Sequence, residues 1–440
     1  MKREPPFSQY LANYFPALGR LLVLASSVCA PTVGIAETSA THPYCSIVEE
    51  ARGVVEATRG STFSSPVACR VLDRKLIGDY VRSRLQEELG PCELKYEGVV
   101  LRALGMLPES FDYLAAVHSI YETALGGFYD PRTKSFSMAD WISPSSQRGV
   151  AIHELVHALQ DQHWDLDRFV DAKHLSGDEI LARMALVEGE ATALVIDAEQ
   201  RAAGQPSFTK GALLDESGFE AGFSAPFSPD YPDSLQQLVQ FPYTAGLRYV
   251  AGLLSQGGYQ KVDGAFKLPP RSTEEILHPA KGRLSPQDFE KLPEWKSSSA
   301  YGHSVYSDTL GEFVTRVILR ENAGSLSHAI TGAEGWGGDR AELFAPPKHQ
   351  SEFLVVWQTS WDSASDAKEF VRTLLGEGLK GFGKVSPLTK SRRILVRGGE
   401  IDSRFVRLNV FVWFKVPSGA GSNGICFSRH CSQPPTGCEQ

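Results

Sequence analysis

Two histidines four residues apart, His153 and His157, lie in the proline-free run Gly149-Val150-Ala151-Ile152-His153-Glu154-Leu155-Val156-His157-Ala158-Leu159-Gln160. This stretch constrains the fold more than any other, because it is built of good helix formers and its apolar residues leave no solvated face. Residues four apart stack on one face of a helix, so both imidazoles must point the same way into an apolar interior. Left uncompensated there, two imidazoles and the carboxylate of Glu154 are costly. A metal ion held by both rings removes that cost, and Glu154, just beside the ligand face, can then hold and deprotonate a water without ligating the metal. The alternative is a pair of satisfied core histidines.

A third ligand is expected from a second helix near 177 to 202, in Val187-Glu188-Gly189-Glu190-Ala191. At about 100° per residue, Glu188 and Glu190 point about 200° apart, so only one faces the metal. The hydrophobic pattern does not choose, because this helix is apolar on both sides and therefore buried all round. Side-chain size does. Glu188 is flanked by Met184, Ala185, Ala191 and Thr192, and Glu190 by Leu186, Val187, Ala193 and Leu194. Two helices sharing one ion must approach closely, which favours Glu188 as the ligand. Glu190 is then a partner behind the ligands, and Asp161, four residues past His157, is another.

Around this helix pair the 440-residue chain divides into an N-terminal helical segment (37–125), a unit with the metal helices (126–330), a small α+β unit (331–416) and a Cys-containing tail (417–440). Phe128-Tyr129-Asp130-Pro131-Arg132-Thr133-Lys134-Ser135-Phe136 reads as a hairpin turned at Asp-Pro. The segment from 203 to 234 is a Gly, Ser and Pro loop. Leu235 to Leu254, interrupted at Pro242, and Val305 to Leu319 have helical periodicity. Phe353 to Trp357, Asp366 to Leu375, Arg393 to Val396 and Val410 to Phe414 read as strand, helix, strand, strand. Trp336, Trp357 and Trp361 are expected in the core, and Asp339 with Arg340 in an ion pair or turn. The fold class is α+β, predominantly helical.

Lys2, Arg3 and Arg20 precede Leu21-Leu22-Val23-Leu24-Ala25 and a small-residue run ending at Ala36. That is the pattern of a signal peptide (1–36) and predicts a secreted or periplasmic chain with no membrane span once mature. An uncleaved N-terminal anchor is the alternative. Setting Cys29 aside leaves Cys45, Cys69 and Cys92 near one end and Cys426, Cys431 and Cys438 near the other. Three is odd, so any fully paired set of disulfides includes a bridge between the two clusters. The net charge of −8 comes with no basic block to follow a phosphate backbone, which argues against a nucleic-acid partner.

His-Glu-x-x-His at 153 to 157, followed by Glu188-Gly189-Glu190-Ala191, resembles the gluzincin metallopeptidases, the group that includes thermolysin, with a longer connection between the two helices. Gly127-Phe128-Tyr129-Asp130-Pro131, Phe241-Pro242-Tyr243, Pro270 to Pro279 and Gly335 to Arg340 also look like stretches in a set of uncharacterised microbial metallopeptidase-like proteins. The resemblance implies a zincin-like catalytic helix pair, Zn²⁺ as cofactor, a peptide or protein substrate, and Glu154 as general base. It also implies a substrate lying along an edge strand, which Lys134 to Met138 would supply, and an oxyanion-stabilising Tyr or His, for which Tyr243 and His278 are the candidates. A non-catalytic exported zinc scaffold and a zinc amidase on a non-protein substrate are the rival readings. Glu154 speaks against the first, since a scaffold has no need of a general base.

Overall fold

The computed structural model describes residues 42–88, 90–124, 126–210, 230–282, 303–345 and 352–375 and three further strands, at 386–389, 392–397 and 409–417. Helix α1 (Pro43–Arg59) is followed by strand β1 (Ala68–Leu72) and helices α2 (Arg74–Glu88), α3 (Gly90–Ala103) and α4 (Tyr113–Ala124). The expected hairpin is β2 (Gly127–Asp130) and β3 (Ser135–Ala139). Its turn is set by Asp130, whose carboxylate accepts from Arg132 N at 3.1 Å and from the Thr133 hydroxyl at 2.9 Å. Next come α5 (Pro144–Trp164), the single turn α6 (Leu166–Phe169), α7 (Gly177–Ala202), α8 (Asp233–Gly257), α9 (Tyr259–Lys267) and the short α10 (Thr273–Leu277).

The hairpin does not offer β3 as an edge. The sheet order is β1-β3-β2, with β1 running parallel to β3 in the register Cys69↔Phe136 and Val71↔Met138. Lys134 to Met138 is therefore no substrate strand at a sheet margin, because β1, from more than sixty residues upstream, occupies that side. Every residue of β3 is buried. The disulfide Cys45–Cys69 ties the first turn of α1 to β1. Cys92 is disulfide-bonded as well; its partner, the tail cysteines and the leader all lie outside the described residues.

Helix α5 begins with Pro at its first turn and ends at Asp165 in the left-handed conformation. Its apolar residues Ile152, Leu155, Val156 and Leu159 pack on Phe136 and Met138 of β3 and on Val48, Ala51 and Val55 of α1. Helix α7 is buried along most of its length, as its two-sided apolar pattern predicts, between α5, α1 and α8. Helix α8 runs straight through Pro242 instead of stopping there. A mid-helix proline costs about 3 kcal/mol, and burial of Leu235, Leu238, Val239, Phe241, Tyr243 and Leu247 outweighs it.

A second unit carries strand β4 (Ser304–Asp308), helices α11 (Gly311–Ala323) and α12 (Leu326–Ala333), strands β5 (Trp336–Phe344) and β6 (Glu352–Trp361), helix α13 (Ala364–Leu375) and strands β7 (Ser386–Thr389), β8 (Arg392–Arg397) and β9 (Asn409–Pro417). The strands form one antiparallel sheet in the order β4-β5-β6-β9-β8-β7. Val305 to Leu319 is thus not one helix. Residues 304 to 308 pair with β5, and Gly311, at φ +84°, turns the chain where α11 begins. Trp336, Trp357 and Trp361 are fully buried, and Phe370 of α13 stacks on Trp361 at 4.6 Å. Asp339 and Arg340 form neither a turn nor a pair. Asp339 lies within β5 and accepts from Leu310 N, Gly311 N and Trp357 Nε1, while Arg340 lies 3.4 Å from Glu342.

The two units meet at the start of α7. Asp178 accepts from both Thr273 N and the Thr273 hydroxyl, its own N donates to Thr309 O, and Gly177 N donates to Asp308. The helix that bears Glu188 is thereby anchored at its N-terminus to the second sheet. Among the described residues no helix is long and apolar enough to cross a membrane.

Candidate metal centre

His153 and His157 stack on one face of α5 with their rings 4.7 Å apart and nearly perpendicular. Opposite them, one oxygen of Glu188 lies 3.1 Å from His153 Nε2 and 3.4 Å from His157 Nε2. All three donor atoms lie within 4.8 Å of one another, close enough to share one ion. Two neutral-capable imidazoles and a carboxylate are a donor set suited to zinc and other divalent transition metals.

Beside Glu188, α7 and α8 cross at two glycines. A Cβ on Gly189 would lie 2.3 Å from Gly246 O, and one on Gly246 would lie 2.1 Å from Ala185 O. No side chain fits at either position, so the two backbones touch beside Glu188. The close approach expected from side-chain size was between the helices that share the donors, α5 and α7, whereas these glycines bring α7 against α8, which carries none of the three.

Electrostatics distinguish the two acids, Glu188 and Glu154. Burial alone would raise the Glu188 carboxyl, but the two adjacent imidazoles bring it well below the usual range. Burial lowers His153, whereas His157, also buried, is brought up by Glu188. Glu154 stands apart from this group: one oxygen accepts from Tyr129 N of β2 at 2.9 Å, and burial brings its carboxyl up to about 7. A hydrogen bond from the hairpin backbone therefore fixes one oxygen of this carboxylate.

Of the other expected residues, Tyr243 comes to the site and His278 does not. Tyr243 is 2% exposed, on α8 just past Pro242, with its ring centre 6.4 Å from that of His153. His278 sits past the end of α10, where its Nε2 is 2.9 Å from Glu312 and 3.1 Å from Arg316. Asp161 does not orient an imidazole. It accepts from the Tyr129 hydroxyl, Lys134 Nζ and Leu166 N, joining the hairpin to the end of α5. His163 and His174 are on the surface beside Ser61 and Asp171.

The residue behind His157 is one the sequence did not single out, Gln160, whose Oε1 lies 2.8 Å from His157 Nδ1. Gln160 Nε2 in turn donates to Glu190, which places Glu190 behind the ligands as expected. The available signal was helical spacing, since Gln160 lies three residues past His157 on the same face.

A family model described as a domain of unknown function (DUF8575) matches residues 299–402, which take in β4 to β8 but not β9, and leaves the candidate metal group outside it. No curated protein and no solved structure matches the chain.

Proposed function

We propose that the chain is an exported zinc-dependent metallopeptidase in which His153, His157 and Glu188 hold the metal and Glu154 is the general base. One observation carries the reading: three donors from two helices converge within 4.8 Å, while the carboxylate adjoining the first histidine stays out of that group. Structural zinc sites close with four protein donors, whereas catalytic ones use three and keep a position for water or substrate. Zinc, when bound, supplies a Lewis acid and lowers the pKa of the water it holds.

Glu154 is arranged to move a proton. Tyr129 N fixes one of its oxygens, and burial raises its carboxyl above the usual carboxylate range. It can therefore take a proton from the attacking water and return it to the leaving amine. Tyr243, buried against the His153 ring, is the candidate hydroxyl for the developing oxyanion. The Cys45–Cys69 disulfide supports maturation in an oxidising compartment.

Zinc amidase action on a small non-protein substrate is the second reading. The enclosure of the site favours it: of the three ligands the most exposed side chain, His157, reaches only 12%. Zinc analysis of the purified chain, run beside cleavage of a mixed peptide library and a panel of small N-acyl amides with and without chelator, separates the readings. One equivalent of zinc with chelator-sensitive peptide cleavage supports the peptidase. Cleavage of the amides alone supports the amidase, and a zinc-loaded chain that cleaves neither refutes both.

A further inference from the structure

Behind His157 the polar contacts continue away from the metal group in single file. Gln160 Nε2 donates to Val187 O at 2.9 Å and to Glu190 Oε2 at 2.9 Å. Both partners are acceptors only, so the amide NH₂ must face them and the amide oxygen must face His157 Nδ1, 2.8 Å away. An oxygen there requires Nδ1 to carry a proton and donate it. His157 is thereby set to present the lone pair of Nε2 to the metal.

Glu190, 1% exposed, divides its two oxygens: Oε2 goes to Gln160 and Oε1 accepts from Arg59 Nε at 2.6 Å. A second Arg59 nitrogen donates to Asp263, and the guanidinium lies 4.5 Å from the centre of the Tyr259 ring. A pair built only for stability would engage both carboxylate oxygens with the guanidinium fork. Here one oxygen is reserved for the amide that holds the ligand. Arg59 is itself well placed to act as an anchor, since it is the last residue of α1, whose first turn the Cys45–Cys69 bridge ties to β1.

The geometry points to Arg59 as a positioning residue of the metal centre: it fixes Glu190, Glu190 fixes the amide of Gln160, and that amide selects the metal-binding tautomer of His157. The inference rests on the metal reading above and deepens it. It assigns a role to a residue 98 positions before His157 that carries no ligand chemistry of its own.

The test uses the full chain, zinc affinity by chelator competition, and the Nδ1–H resonance of His157 in zinc-loaded, ¹⁵N-histidine-labelled protein. Removing a partner behind a ligand costs about 10- to 100-fold in metal affinity. Arg59→Met and Gln160→Met should each fall in that range and lose the slowly exchanging Nδ1–H signal. Because both act on one chain of contacts, the double variant should bind zinc no more weakly than Gln160→Met alone. A folded Arg59→Met that holds zinc like wild type, or losses that multiply in the double variant, overturns the inference. Should Arg59→Met not fold, Gln160→Met leaves the Arg59–Glu190 pair in place, and unchanged affinity with an unchanged Nδ1–H signal overturns it equally. A wild-type chain that takes up no zinc overturns the metal reading itself.

Discussion

Substituting Gly189 by alanine tests whether the helix crossing sets the metal geometry. The added Cβ would lie 2.3 Å from Gly246 O, whereas ordinary contact begins near 3.4 Å, so the backbones of α7 and α8 must separate by about 1 Å. The obstacle is a carbonyl oxygen of a buried helix and cannot rotate away. Overpacking of this kind costs about 1–3 kcal/mol. Glu188 is the adjacent residue and moves with the helix, while metal–ligand distances tolerate only about 0.2 Å. Zinc affinity should therefore fall by at least ~100-fold, beyond the cost of losing one hydrogen-bond partner behind a ligand. Gly252 is the control: it lies in the partner helix α8 with nothing within 4 Å of the added Cβ, and alanine there should be neutral or stabilising by about 0.4–1 kcal/mol. The assays are denaturant unfolding of the metal-free chain and chelator competition for zinc. If Gly189→Ala unfolds like wild type and binds zinc equally tightly, the crossing does not position Glu188.

Other perturbations address single groups. Glu154→Gln should keep full zinc stoichiometry and lose about 10²–10⁴-fold in turnover, since only the proton acceptor is gone; wild-type turnover would sink the general-base role. Glu188→Ala should lose zinc and activity together while Glu190→Gln keeps the metal bound more weakly, and stoichiometry that survives in the first and vanishes in the second reverses the assignment. At the junction of the two units, burial raises Asp178 well above its ordinary value, Asp339 to about 6 and Glu274 to about 7. Raised carboxyls stabilise the fold below their unfolded values near 4 and lose that contribution as pH rises through the folded ones, so stability should decline between about pH 4 and 7. Asp178→Asn, which retains the oxygen that accepts from Thr273, should flatten that decline in melting curves, and an unaltered pH profile would rule it out. Peptide mapping of the exported chain should find at least one of Cys426, Cys431 and Cys438 bridged to the N-terminal cluster; a tail entirely unlinked to it contradicts the parity argument.

The three candidate donors were legible because their chemistry and spacing are both local: two imidazoles four residues apart declare one helix face, and Glu188 meets them from the next long helix. The crossing of α7 with α8 at Gly189 and Gly246 was not foreseen, since the expected close approach was between the helices that share the donors. The supporting shell was not legible, because it is made of groups that no pattern marks. Tyr129 acts through its backbone N–H, Gln160 through a neutral amide, and Arg59 across 131 residues to Glu190. The hairpin was readable as a hairpin but not as the inner part of a sheet, since pairing of β1 with β3 is a long-range event that alternation within either strand does not encode. The reading of Val305 to Leu319 failed for a related reason. Apolar residues of a strand and of the following helix fall by chance on one helical period, and the break at Gly311 is a matter of φ rather than of hydrophobicity.

The Arg59–Glu190 and Arg59–Asp263 hydrogen bonds close loops of 131 and 204 residues, and this bears on when the centre comes into existence. A growing or translocating chain exposes both histidines of α5 early, yet two imidazoles on a lone helix make a weak and unselective trap for metal. The third donor arrives only when α7 docks against α5, and the brace behind His157 only after residue 263 has emerged and folded back. Contacts of such long range form late and together. Under the function proposed above, hydrolytic competence would then be gained only at the end of folding, and the unfolded chain would carry its chemistry dormant.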